Sequence, residues 1–233
     1  GMTPRERLIV AIDEPDVTAA RALIARLEGA VDRVKVGMTL YYRAGPGFVR
    51  ELVSEGWNVF VDLKCHDIPH QVAGAVGGLA ELGAELITVH VAGGRQMLEE
   101  SVRAAEGSGT KILGITALTS LDAQSLSEIG PPTTPEALVA TRASLAYDAG
   151  LDGVVSSPLE AASVRARVGS SFEIVTPGVR PHGSSTDDQR RIATPGDAIS
   201  WGASRLVVGR PITRAEDPAT VAAQILGEIE AAL

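Results

Sequence analysis

Short apolar runs rich in β-branched residues alternate along the chain with longer stretches in which apolar residues recur at helical spacing. Runs of the first kind predict eight β-strands, at Leu8–Asp13, Arg33–Met38, Asn58–Lys64, Leu86–Val91, Lys111–Leu118, Gly153–Ser157, Glu173–Val179 and Arg205–Pro211. Stretches of the second kind predict helices at Val17–Leu27, Phe48–Glu55, Val72–Leu82, Arg95–Glu106, Ala137–Ala149 and Val221–Leu233. A strand followed by a helix, repeated many times, is typical of a parallel sheet.

The spacing of the predicted strands indicates which parallel fold this is. Successive strands begin 20 to 42 residues apart, which is close to one strand and one helix each, and the longest interval contains the Pro-rich insertion Gly130–Pro135. Eight such units predict a (β/α)8 TIM barrel of the α/β class, a single domain over residues 1–233. Gly1 precedes Met2 and is interpreted as an added residue. A doubly wound open sheet is the alternative, but the first turn, Asp13–Asp16, lacks the glycines of a dinucleotide-binding fold.

Composition excludes several classes of function. A formal net charge of −8 disfavours a broad nucleic-acid or anionic-membrane surface, although a few local cations could still bind a small anion. Cys65 is the only cysteine, so no intramolecular disulfide can form. No apolar run reaches the ~18 residues of a membrane span, and no signal peptide is recognisable. We therefore expect a cytoplasmic protein that binds neither nucleic acid nor membrane.

The third predicted strand ends in opposite charges. Because side chains alternate along a strand, Phe60, Asp62 and Lys64 share one face, and Asp67 follows in the turn before Pro69. An aspartate and a lysine at a strand end can simply form an ion pair, and that interpretation stays open at this point.

Lysine usage favours chemistry over a structural ion pair. Only Lys35, Lys64 and Lys111 are lysines among 21 basic residues, and the first two close apolar strands. An ammonium can give up its proton, whereas a guanidinium cannot. The pattern therefore indicates proton transfer.

The active sites of (β/α)8 barrels lie at the carboxyl ends of the strands, so polar residues that close the predicted strands are candidate site residues. They are Asp13, Lys35, Asp62, Lys64, His90, Thr116, Thr119, Arg180 and Arg210. Asp13 could alternatively cap the following helix, and His90 could be a core histidine.

A glycine followed within two residues by arginine closes each of the last two strands, at Gly178–Arg180 and Gly209–Arg210. Phosphate sites of this fold are commonly formed there, because glycine lets backbone amides approach an anion and arginine can grip it with two hydrogen bonds. We therefore predict a phosphate site. The polar segment after Arg180, which includes Gln189, predicts a lid over the ligand; a solvated loop without function is the alternative.

Seven segments, in order from the first strand to the last, carry a resemblance to a known family. They are Leu8–Asp13, Lys35–Gly37, Asp62–Pro69, Ala117–Ser120, Pro177–Pro181, Asp188–Arg191 and Val208–Ile212. Together they resemble the orotidine 5′-phosphate decarboxylases. The Asp-x-Lys-x-x-Asp core is shared with sugar-phosphate decarboxylases and synthases of the same superfamily, whereas Ile68–Pro69 and the later segments are typical of the orotidylate enzymes.

The resemblance implies conversion of orotidine 5′-monophosphate to UMP and CO2, in de novo pyrimidine biosynthesis, without cofactor or metal. Lys64 would be the proton donor, in an alternating array with Lys35, Asp62 and Asp67. The implied substrate contacts are Asp13, Lys35, Asp62, Ile68, Gln71, Thr119, Arg180, Gln189, Gly209 and Arg210. The resemblance also implies a homodimer, in which Asp67 and Ile68 reach the neighbouring subunit's site. Gln71 departs from the family, which often has a hydroxyl residue there.

Two other functions remain open from the sequence. One is a metal-dependent decarboxylase of keto-sugar phosphates from the same superfamily, which a metal requirement would reveal. The other is a non-catalytic barrel that binds nucleotide phosphates, which would bind UMP without releasing CO2 from orotidylate.

Overall fold

Eight parallel strands close into a barrel in which each strand pairs with the next and β8 pairs with β1. This computed structural model describes residues 1–183 and 193–233. The strands are β1 Leu8–Ala11, β2 Arg33–Gly37, β3 Asn58–Cys65, β4 Leu86–His90, β5 Lys111–Ile115, β6 Gly153–Val155, β7 Glu173–Pro177 and β8 Arg205–Val208. The predicted (β/α)8 fold is confirmed.

Each strand begins at the predicted residue, but seven of the eight end one to three residues earlier than predicted. Half of the residues that leave the ladder are polar residues or glycines, among them Asp13, Gly178 and Arg210. They open into the loops that carry the candidate site, as barrels of this type require.

Helices surround the barrel, and several begin at a proline. In the described residues they are α1 Pro4–Arg7, α2 Val17–Leu27, α3 Met38–Ala44, α4 Pro46–Ser54, α5 Pro69–Glu81, α6 Arg95–Ala105, α7 Ala123–Ile129, α8 Pro135–Asp148, α9 Ala161–Val168, α10 Pro195–Ser200, α11 Arg210–Thr213 and α12 Pro218–Ala231. Short 3₁₀ turns lie at Val91–Gly93 and Pro158–Glu160. The predicted starts of α4, α5, α8 and α12 are two or three residues late, because proline suits the first helical position but contributes nothing to the apolar periodicity.

Two apolar layers form the core. The smaller fills the barrel and consists of Ile9, Ala11, Phe60, Leu86, Leu113, Val175 and Val207, with Val155 packed against them. The larger lies between the strands and the helices, where Val59 and Val61 of β3 are fully buried. Both faces of each strand are therefore covered, as expected of an all-parallel sheet.

Within the described parts of the chain, no helix combines the length and the apolar character needed to cross a membrane.

Alternating charges close the amino-terminal end of the barrel. Arg33, Lys111, Glu173 and Arg205 are the first residues of β2, β5, β7 and β8, and Glu85 immediately precedes β4. We call these five residues the floor cluster. Ion pairs link them in the order Arg33–Glu85 (2.9 Å), Glu85–Arg205 (3.3 Å), Arg205–Glu173 (2.5 Å) and Glu173–Lys111 (2.8 Å).

Glu173 shows how the floor cluster is balanced. Burial alone would raise the pKa of its carboxyl, but hydrogen bonds from Arg205 and Lys111 outweigh burial and hold that pKa below its ordinary value. A buried carboxylate of this kind depends on its partners, since an unpaired buried charge is costly.

We expect Arg205→Ala to lower the free energy of unfolding by about 3–5 kcal/mol, because it leaves two carboxylates at the barrel floor without their shared partner. Urea denaturation would measure the loss. The control is Arg5→Ala, which breaks the exposed Arg5–Asp32 pair and should cost about 1 kcal/mol or less. Similar losses in the two variants would contradict a stabilising role for the floor cluster.

Candidate active site

Three charged side chains meet at the carboxyl ends of β2 and β3. The Nζ of Lys35 lies 3.2 Å from Oδ2 of Asp62, and the Nζ of Lys64 lies 3.0 Å from the same oxygen. Asp62 and Lys64 lie on the side of β3 that carries Phe60 into the barrel core, as the alternation of the strand predicts. We call Lys35, Asp62 and Lys64 the charged cluster.

Asp62 is the buried member of the charged cluster, with a side chain only 8% exposed. Burial raises the pKa of its carboxyl, but Lys35, Lys64 and the hydroxyl of Thr88 together outweigh burial and place that pKa below its ordinary value. The carboxylate therefore stays ionised at neutral pH and holds both ammonium groups.

The backbone of Lys64 is unusual. Its φ is +52°, which within the described residues makes it the only residue other than glycine in the left-handed region. The register of β3 against β4 also shifts here, because Val61 pairs with Ile87 and Cys65 pairs with Val89. Between these two pairs β3 advances by four residues and β4 by only two. For an L-residue this conformation costs roughly 1–2 kcal/mol. Such strain is typical of functional positions.

Thr88 contacts the charged cluster and was missed by the sequence analysis. Its Oγ1 lies 2.7 Å from Oδ1 of Asp62 and 2.9 Å from the backbone nitrogen of Lys64. Leu86, Thr88 and His90 alternate along β4, so all three face the interior of the barrel. That inward alternation was the available signal, but Thr88 lies inside the strand rather than at its end.

Two cavities flank the charged cluster and share its three side chains. One has a volume of about 260 Å³, with Thr119 at its edge. Its walls are mostly apolar and comprise Phe60, Ile115, Ala117, Leu118, Val155, Pro177 and Val207, besides Ser120. The other, of about 410 Å³, includes Asp13 and Gly37. A ligand at this position would meet an apolar wall on one side and polar groups on the other.

A third cavity, of about 530 Å³, brings together Arg180 and Arg210, the two arginines predicted to bind phosphate. Gly178 has φ +78°, a conformation that favours glycine, so the turn before Arg180 depends on it. The backbone amide of Arg180 donates to the carbonyl of Ala193 at 3.0 Å. Gly209 immediately precedes α11 as its N-cap, and a Cβ at that position would lie 3.9 Å from Oδ2 of Asp13. The turn that carries Arg210 therefore lies beside the end of β1, and Arg180 lines the same cavity as Arg210.

Other predicted residues lie apart from the charged cluster. Asp67 is exposed and its Oδ1 accepts a hydrogen bond from the amide of Ile68, which is 63% exposed. Gln71 is exposed in the first turn of α5. None of the three lines the cavities described above. Gln189 lies outside the described residues, as do residues 184–192 of the predicted lid.

Two further strand-end candidates have different surroundings. His90 is half-buried, with its ring centroid 5.1 Å from that of His66. Burial, with smaller contributions from His66, Lys64 and Arg142, lowers the pKa of His90, so its imidazole is neutral at pH 7. Thr116 is fully buried and is not among the residues that line the three cavities. Thr116 is therefore not brought into the candidate site.

Among the residues that the structure describes, no three His, Cys, Asp or Glu side chains are grouped as ligands of a metal ion would be.

The fold and the position of the charged cluster define a (β/α)8-barrel protein whose site lies at the carboxyl ends of its strands. The sequence profile of the orotidine 5′-phosphate decarboxylase / HUMPS family matches residues 6–225. The chain therefore belongs to this family.

Individual relatives are similar over nearly their whole length. The orotidine 5′-phosphate decarboxylase of Halorhodospira halophila is 52% identical over 229 residues, which cover 97% of each chain. That of Nitrosomonas europaea is 49% identical over 212 residues, covering 91% of this chain and 92% of the relative. The crystal structure of orotidine 5′-phosphate decarboxylase from Lactobacillus acidophilus matches with a TM-score of 0.86 and 37% identity, covering 96% of this chain and 98% of the other.

We expect Lys64→Gly to be more stable than Lys64→Ala by about 1 kcal/mol, because glycine has no Cβ and adopts a φ of +52° without the steric strain that alanine has there. Urea denaturation of both variants would measure the difference.

The matched control is the same pair of substitutions at Lys35, whose φ is not positive. There glycine should be the less stable by about 0.5–1 kcal/mol, since it loses more conformational freedom on folding. The same order of stability at both positions would contradict strain at Lys64.

Proposed function

We propose that this protein decarboxylates orotidine 5′-monophosphate to UMP and CO2, the closing step of pyrimidine nucleotide synthesis, without metal or cofactor. The observation that carries the proposal is the buried carboxylate of Asp62 between the Nζ atoms of Lys35 and Lys64. Family membership and relatives that bear this activity in their names support the choice of substrate.

The reaction needs a cation that is also an acid. Breaking the bond between C6 and its carboxylate leaves an electron pair in the plane of the pyrimidine ring, where the π system cannot delocalise it. In our proposal the ammonium of Lys64 attracts this developing charge and then transfers its proton to C6 as CO2 departs. The neutral amine regains a proton from solvent. An arginine could supply the attraction but not the proton.

Asp62 acts mainly by orienting the two lysines. Repulsion between its carboxylate and that of the substrate would be at most about 4 kcal/mol for charges ~4 Å apart at an effective dielectric of 20. Enzymes typically lower a barrier by ~8–23 kcal/mol, so repulsion alone is too small. Since Oδ2 of Asp62 already accepts from both ammonium groups, its free charge is further reduced.

The cavities suggest how the substrate lies. In this arrangement the base faces the apolar cavity at Thr119, and Asp13 and Lys35 bind the ribose hydroxyls in the neighbouring cavity. Arg180, Arg210 and the amide of Gly209 bind the phosphate. Gln189 adds a contact from beyond the described residues. Binding energy from the phosphate then helps to order the charged cluster around the reacting carbon.

The protein acts as a homodimer in this proposal, with Asp67 and Ile68 entering the site of the partner subunit. Both residues are exposed just after the strand that carries Lys64, which supports a role outside their own subunit. Two side chains of α3, Met38 (52%) and Tyr42 (68%), are apolar and exposed. Tyr42 lines a cavity together with Cys65 of β3, so these side chains support burial of this region in an interface.

Gln71, in the first turn of α5, would by the family resemblance replace a hydroxyl residue. Its amide can both donate and accept a hydrogen bond, so it can serve as a substrate contact in the same position.

The decisive experiment is loss of orotidylate absorbance on adding protein treated with EDTA. We expect turnover with the wild type and a decrease of roughly 10⁴-fold or more in Lys64→Ala, since both general acid and electrostatic catalysis are lost. The affinity of Lys64→Ala for UMP should stay within about tenfold.

Lys111→Ala is the control, because this third lysine lies at the opposite end of the barrel and its kcat should be near that of the wild type. Unchanged kcat in Lys64→Ala would remove Lys64 as proton donor. Loss of turnover in EDTA, restored by a divalent cation, would favour the metal-dependent rival. Saturable UMP binding without CO2 release would indicate a non-catalytic barrel.

Mixing Lys64→Ala with Asp67→Ala tests the shared site. Each single variant should be nearly inactive, whereas a random mixture should recover about a quarter of wild-type activity, because each heterodimer contains one intact site of two. A mixture of two differently tagged Lys64→Ala chains is the control and should stay inactive. No recovery in confirmed heterodimers would mean that each subunit has a self-contained site.

A further inference from the structure

We propose that Thr88 is a positioning residue for decarboxylation: its single hydroxyl orients the Asp62 carboxylate and fixes the backbone of Lys64 at the same time. This inference deepens the proposed function and rests on it, because it assigns a cause to the geometry of the charged cluster. Thr88 is fully buried and is not among the residues that line the cavities, so it acts through its neighbours rather than on the substrate.

The direction of both hydrogen bonds follows from the groups involved. The backbone N–H of Lys64 can only donate, so Thr88 Oγ1 accepts from it, at 2.9 Å. An ionised carboxylate can only accept, so the hydroxyl proton of Thr88 points to Oδ1 of Asp62, at 2.7 Å. The hydroxyl therefore has a defined rotation, fixed by a donor on one side and an acceptor on the other.

For Asp62, the consequence is that its two carboxylate oxygens have different hydrogen-bond partners. Oδ1 accepts from Thr88, and Oδ2 accepts from both Lys35 and Lys64. The terminal torsion of an aspartate is broad, so a carboxylate without such a restraint can rotate away from this arrangement. Thr88 keeps Oδ2 directed at the two ammonium groups.

For Lys64, the consequence concerns its strained backbone. The register shift between β3 and β4 takes residues 62–64 out of regular pairing with β4, and the backbone N–H of Lys64 bonds instead to the side chain of Thr88. A strained φ persists only where the surroundings determine it, and this hydrogen bond is one such determinant. Thr88 thereby holds the backbone from which the proton donor extends.

The test compares Thr88→Val, which removes the hydroxyl, with Thr88→Ser, which keeps it. A hydrogen bond to a charged group contributes about 1.5–3 kcal/mol, so kcat for orotidylate should fall about 10- to 150-fold in Thr88→Val. KM should change less than about threefold, and Thr88→Ser should recover kcat to within about threefold of the wild type. If Thr88→Val does not fold, Thr88→Ala deletes the same hydroxyl without adding bulk and carries the same expectation.

A second readout distinguishes orientation of the carboxylate from mere packing. The ¹³C chemical shift of the Asp62 carboxyl, followed against pH, should titrate at a higher pH in Thr88→Val than in the wild type and Thr88→Ser. The reason is that one of the hydrogen bonds that lower the pKa of Asp62 is lost, while Lys35 on β2, Lys64 on β3 and His90 on β4 are unchanged.

The titration does not require turnover, so the two proposals can fail separately. Absence of CO2 release from orotidylate by the wild type would contradict the proposed function. An unchanged Asp62 titration in Thr88→Val, or equal losses of kcat in the serine and valine variants, would overturn the positioning role of Thr88.

Discussion

One carboxylate between two ammonium groups is the interaction on which the candidate site depends. Asp62 is buried, so its charge is tolerated only because Lys35 and Lys64 approach it from adjacent strands. The parallel register places the three side chains at the same end of the barrel, and the irregular pairing of β3 with β4 lets Lys64 extend toward the cavity. Removing either lysine would leave the carboxylate with only one ammonium partner, and removing the carboxylate would leave two cations close together.

Much of the fold could be predicted from the sequence because strands of a parallel barrel are buried on both faces. Apolar runs are therefore easy to locate, and every strand begins at its predicted residue, in six cases a charged residue, asparagine or glycine directly before the run. Strand ends merge into the loops and were placed less well. Helix starts at Pro46, Pro69, Pro135 and Pro218 were missed by two or three residues, because the first helical turn follows backbone preference rather than apolar spacing. In the part of the chain that the structure describes, six helices, α1, α3, α7, α9, α10 and α11, were not predicted; none exceeds eight residues, so an apolar period hardly repeats within them.

The site residues whose positions follow from alternation within one strand could be predicted. Those whose contacts depend on the register between strands could not. Asp62 and Lys64 follow from the period of one strand. Thr88 lies 24 residues from Lys64, and Arg205 of the floor cluster lies 120 residues from Glu85, so their contacts exist only once the strands are aligned. The exposed position of Asp67 likewise follows from its turn, and its proposed function in a second subunit is beyond what one chain's pattern can specify.

The floor cluster has a further consequence for how protons travel. Above it, Ile9, Leu86, Leu113 and Val175 are fully buried, so an apolar layer separates the floor cluster from the charged cluster. In the proposed reaction, the proton that Lys64 gives up would then be replaced through the opening by which the ligand enters and leaves. A product that still occupies this opening would therefore lie on the path by which the amine is protonated again.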